Sequence, residues 1–114
     1  MPDNAVYLDY ADGVKRLMNN GKFYAKLLSK FKDETKLDDL EAFLAEGDME
    51  KAQNAAHAIK GLAANLSLPE MFKQCLELEA QIKAKAVPEK QMETVKAAFA
   101  MTLQEIDKVI AVHE

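Results

Sequence analysis

Residues 48–86 read DMEKAQNAAHAIKGLAANLSLPEMFKQCLELEAQIKAKA. In the first half, Met49, Ala52, Ala56, Ile59, Ala63 and Leu66 recur every three or four positions. In the second half, Met71, Cys75, Leu78 and Ile82 do the same. Each half therefore carries one apolar stripe on an otherwise polar helix. The punctuation agrees. Gly47 ends the preceding helix and Asp48 caps the next one. Ser67-Leu68-Pro69-Glu70 has the form of a capping box with Pro inside the first turn. Two amphipathic helices joined by so short a link become antiparallel neighbours.

The same pattern extends outward. Pro88 opens a last helix whose stripe is Met92, Val95, Phe99, Leu103, Ile106 and Ile110. Upstream, Tyr24, Leu27, Leu28, Phe31, Leu37, Leu40 and Leu44 form another stripe across 22–46. Residues 32–36 interrupt it, and Thr35 with Asp38 gives a second start signal. One bent helix and two separate helices both satisfy that segment. Val6, Tyr10, Val14 and Leu17 suit a short N-terminal helix over one end, closed by the turn Asn19-Asn20-Gly21. Nowhere does the alternation of a strand appear. The expected fold is all-α: an antiparallel up-and-down four-helix bundle with a short extra N-terminal helix. The expected domain organisation is a single domain over 1–114.

Composition narrows the functions. The net charge is −4, which disfavours nucleic acid, a ligand that recruits basic patches. No run approaches the ~18 apolar residues that span a bilayer. The N-terminal MPDNAVYLDYADG is acidic and lacks the apolar segment of a secretory signal. We expect a cytoplasmic protein. The single cysteine, Cys75, suits a reducing compartment. The Lys- and Glu-bearing faces lack a second apolar stripe, so we expect a monomer.

A bundle names no function, so chemistry must come from particular residues. Di-iron bundles need Glu-x-x-His, and neither His57 nor His113 completes that motif. No GxxxxGK[ST] or other glycine-rich nucleotide loop is present. His113 sits beside the last residue, where a histidine is usually exposed and inert. His57 differs. At ~100° per residue it points more than ~100° from the stripe of Ala52, Ala56, Ile59 and Ala63. Lys60, Gly61 and Ala64 share its face. Gly in a helix interior is about 1 kcal/mol poorer than Ala, and close approach of another molecule is a reason to keep it. Neutral imidazole is a nucleophile near pH 7. It can attack phosphorus while Lys60 stabilises the added negative charge. With no nucleotide loop, the phosphoryl group comes from another protein. Against this stands chance, because an exposed His with Lys at i+3 arises in many helices.

Read together, Ala56-His57-Ala58-Ile59-Lys60-Gly61-Leu62-Ala63-Ala64-Asn65-Leu66 resembles the signature of histidine phosphotransfer (HPt) domains, roughly H-x-[apolar]-K-G-x-[small]-[small]. Leu40 to Ala52 resembles that family's approach to its site helix. Cys75-Leu76-Glu77-Leu78-Glu79 resembles its following C-x-x-L-E segment. The similarity runs from about residue 9 to 111, with Leu62 standing where Ser or Ala is common and Ser67 where Gly is frequent.

The resemblance implies a phosphorelay carrier that accepts a phosphoryl group on His57 from a receiver-domain aspartate or a kinase, and hands it to another receiver. It implies Lys60 as charge partner, and Gly61 and Ala64 as the small residues that admit the receiver. The implied partners are receiver domains of response regulators or hybrid histidine kinases. They would bring the Mg²⁺, so the chain needs no cofactor and no catalytic machinery of its own. Glu79 returns level with His57 across the Ser67 turn. In the chemotaxis-kinase branch a Glu at that interval bonds the imidazole; a solvent-facing Glu is the alternative. The competing function is a phosphate-independent helical adaptor, a degenerate member of the same family.

Overall fold

The structure is a computed structural model that describes residues 5–113. Six helices run in chain order: α1 (Tyr10–Arg16), α2 (Gly21–Glu34), α3 (Leu37–Glu46), α4 (Met49–Asn65), α5 (Pro69–Lys83) and α6 (Gln91–Val112). Segment 22–46 is thus two helices, which together form one member of an antiparallel four-helix bundle. α3 packs on α4, α4 on α5, α5 on α6, and α6 returns to α2. The stripes meet inside. Leu28, Leu40, Met71, Leu78, Val95 and Ile106 are completely buried, as are Ala52, Ala56 and Ala63 on α4.

The turns show which local signals acted. Gly47 adopts a left-handed φ of 76°, and its N–H closes α3 on Leu44 and Phe43 carbonyls. Asp48 then caps α4 by accepting from the Lys51 N–H. Asn20 does the same for α2, accepting from Phe23. Three expectations need correction. Ser67 does not cap α5. Its φ is +56°, Leu68 holds the N-cap position without a side-chain bond, and the Ser67 hydroxyl donates to Asp12 instead, at 2.5 Å. Thr35 closes α2 and does not open α3, whose N-cap is Lys36. Pro88 stands three residues ahead of α6, in the turn where its carbonyl accepts from Gln91 N–H.

α1 covers one end of the bundle, and Val6 lies outside it, exposed. Ser67 and Tyr24 anchor it. The Ser67 carbonyl accepts from Asp9 N–H, and its hydroxyl, followed by the Arg16 guanidinium, holds the Asp12 carboxyl below the usual range. The buried Tyr24 hydroxyl donates to the Leu66 carbonyl at 2.6 Å. Gly13 lies over that ring, and a Cβ there would sit 2.2 Å from Tyr24 Cζ. Tyr24 is fully buried and bonded, so it has nowhere to move. Gly13→Ala is therefore expected to destabilise the fold by about 1–3 kcal/mol, although alanine favours helix. Thermal unfolding checks this, and an unchanged Tm would contradict it.

Candidate functional site

α4 places the site because its buried side carries mainly alanine. Ala52, Ala56 and Ala63 keep the α4 surface shallow, and α4 packs more extensively on α5 than any other helix pair does. That approach lets side chains of α5 reach across to the exposed side of α4.

His57 points away from the core, with its side chain 69% exposed. Its Nδ1 lies 3.0 Å from Oε2 of Glu79. Glu79 is not solvent-facing: its side chain is only 6% exposed. Lys60 Nζ donates to the other oxygen, Oε1, at 2.5 Å. Burial alone would raise the Glu79 pKa, but the hydrogen bond from Lys60 dominates and holds it below the ordinary carboxylate value, with His57 adding to the effect. Glu79 is therefore ionised near neutral pH and can only accept hydrogen bonds. Nδ1 must then carry the proton of the neutral ring, leaving the lone pair on Nε2. Nε2 makes no hydrogen bond among the described residues. The arrangement is an outward-facing nucleophilic nitrogen backed by a buried anion, which favours positive charge developing on the ring.

The other residues of the face divide by environment. Gly61 is exposed, and a Cβ added there would meet nothing within 4 Å. Packing inside the chain does not require a glycine at this position. Ala64 is half-buried and lines a groove of about 310 Å³ with Ser67, with Asp9 at the N-cap of α1, and with Asp12 and Arg16 from α1 itself. Lys60 is not a loose cation beside the imidazole, as its spacing suggested; it is only 19% exposed and engaged by Glu79. Leu62 leaves the edge of the stripe and stands 46% exposed, beside a second groove floored by Leu27, Phe31 and Leu66.

Two further groups fall outside this cluster. His113 is half-buried and not free, since its Nε2 lies 2.8 Å from the Tyr10 hydroxyl and the two rings stack. Cys75 is fully buried, and burial pushes its thiol up to about 12, so it is no nucleophile at neutral pH. Among the described residues no group of three or more His, Cys, Asp and Glu is placed to hold a metal ion. No helix among them is long and apolar enough to cross a membrane.

Sequence reasoning missed one residue of the cluster. Lys83 Nζ stands 3.9 Å from Glu79 Oε2, the oxygen that holds His57. Its i+4 spacing from Glu79 was visible, but that spacing gains meaning only once Glu79 is placed beneath the imidazole.

Comparison with curated proteins and with solved structures gave no match. Comparison with protein families gave one over residues 26–109, to the Hpt domain. The matched span runs from within α2 almost to the end of α6 and holds the whole His57 cluster, while α1 lies outside it. A match over so much of the chain places it in the Hpt domain family of two-component signalling, whose general role is in phosphorelays with receiver domains.

Proposed function

We propose that this chain is a phosphoryl carrier in which His57 accepts a phosphoryl group from a receiver-domain aspartate, or a kinase, and relays it to another receiver. One observation carries the reading: an exposed imidazole whose Nδ1 is held by a buried, ionised glutamate. Nε2 attacks phosphorus, and the acyl P–O bond of the donor aspartyl phosphate breaks. Its electron pair leaves with the carboxylate. The ring gains an Nε2–P bond while keeping the Nδ1 proton, so positive charge develops on it against Glu79. Lys60, bonded to the other oxygen of Glu79, keeps that carboxylate ionised beneath the ring. Gly61 and Ala64 admit the receiver, which supplies its own Mg²⁺; the chain contributes a nucleophile and a landing surface. We further take residues 1–114 to work as one domain, monomeric and cytoplasmic.

A phosphate-independent adaptor would keep the same bundle, but it gives no account of a buried carboxylate placed against an exposed imidazole. The two readings separate on transfer. A phosphorylated receiver from the same organism should label the protein with acid-labile phosphate, and binding without labelling would favour the adaptor. The role of Glu79 has its own test. Glu79→Ala should still be labelled, but more slowly by roughly one to two orders of magnitude, as when other functional imidazoles lose an orienting partner. Nitrogen chemical shifts of His57 should move from one tautomer towards a mixture. Wild-type rates together with wild-type shifts in Glu79→Ala would remove Glu79 from the mechanism.

A further inference from the structure

We propose that Lys83 is the cation that meets the phosphoryl group on His57, and that Lys60 is a positioning residue that fixes Glu79 beneath the ring. The inference rests on His57 being the phosphoryl acceptor, and divides between two lysines a task that spacing gave to one.

The two ammonium groups are held differently. Lys60 is mostly buried and donates to Glu79 Oε1 at 2.5 Å. It is the principal partner of a carboxylate that is itself almost fully buried, and removing the partner of a buried charge leaves that charge uncompensated. Lys60 cannot swing out to a phosphoryl group without stripping Glu79 of that partner, and Glu79 is what fixes the ring proton on Nδ1. Lys83 has no such obligation. Its side chain is 60% exposed, and its Nζ stands 3.9 Å from Glu79 Oε2, beyond hydrogen-bonding distance. That oxygen is 3.0 Å from His57 Nδ1, so the ammonium lies no farther from Nδ1 than those two distances laid end to end. Lys83 therefore sits at the rim of the site on a flexible stem, from the helix opposite His57.

A cation in that place has a chemical use. A phosphoryl group on Nε2 brings negative charge to a site that already holds the Glu79 carboxylate. Lys60 offsets Glu79, and the charge gained by the ring offsets only part of the phosphoryl dianion. An exposed ammonium that moves onto the phosphoryl oxygens supplies the match, and favours the transfer in proportion to the charge that develops.

The test uses phosphoramidate, a small donor that needs no partner protein. Its P–N bond breaks, ammonia leaves with the electron pair, and the Nε2–P bond forms. Labelling is followed by ³¹P NMR in wild type, Lys83→Ala, Lys83→Arg and Lys60→Ala. Lys83→Ala should be labelled about threefold to fivefold more slowly, the size of an exposed ion pair. The titration midpoint of its bound phosphoryl group should move up by about half a pH unit, because a lost cation disfavours the dianion. Lys83→Arg should restore both. Lys60→Ala should be slower as well, but its signature should be a disturbed His57 tautomer, which Lys83→Ala leaves intact. Wild-type rate and midpoint in Lys83→Ala overturn the proposal, and so does a loss that arginine fails to rescue. Labelled wild type with unchanged Lys83→Ala leaves the carrier reading standing. Wild type that takes no label at all overturns both.

Discussion

His57→Gln is expected to take up no phosphate from any phosphorylated receiver, while His113→Gln is labelled at the wild-type rate. The two histidines have different surroundings. His57 is mostly exposed, its Nδ1 is held by Glu79, and Nε2 is open to a partner. His113 is half-buried with its Nε2 against the Tyr10 hydroxyl, so the nitrogen that would have to attack is already engaged. Glutamine keeps polarity and helix compatibility at position 57 while removing the nucleophile. The folded state should therefore persist, and Glu79 keeps Lys60 as its partner. Loss of label with an unchanged circular-dichroism spectrum and Tm is the expected pair of results. Retained labelling of His57→Gln would move the phosphoryl site elsewhere.

Gly61→Gln is expected to separate docking from chemistry. The position lies one helical turn beyond His57 on the same face, and a Cβ added there meets nothing within 4 Å among the described residues. The substitution should stabilise the helix, by several tenths to about 1 kcal/mol, because glycine is the poorer helix former. Transfer from a receiver should nonetheless fall by roughly tenfold or more, since a misplacement of about 1 Å at a reacting centre can have an effect of that order or larger. Labelling by phosphoramidate, which needs no docking, should remain close to wild type. Equal loss with both donors would mean that position 61 acts on the imidazole itself. Equal retention with both would remove the docking argument.

Much of the fold was legible because it depends on periodicity, which is local. The stripe Ala52, Ala56, Ile59 and Ala63 is buried, and Gly47 with Asp48 makes the α3–α4 turn that their chemistry favours. The exposure of His57 is set by its angle to that stripe. What escaped was set by partners distant in the chain. Ser67 has the chemistry of a cap, but Asp12, 55 positions away, takes its hydroxyl. His113 is recruited by Tyr10, 103 positions away. Thr35 ends a helix because the chain turns there, a choice that the bundle makes and local propensity does not. Lys60 looked like a free cation because spacing reports which face a residue occupies, and says nothing of what waits on the neighbouring helix. Glu79 stayed open between two readings for the same reason. Its burial depends on how closely the alanine surface of α4 lets α5 approach.

The carrier account comes down to where the phosphorus goes. Wild-type protein is incubated with a phosphorylated receiver and Mg²⁺, then studied at neutral or basic pH by ³¹P NMR and by tandem mass spectrometry without acid. The account predicts a single phosphoramidate on Nε2 of His57, stable in base and lost in acid. An acid-stable phosphate ester on a serine or threonine, or a receiver that binds and keeps its phosphoryl group, would contradict it.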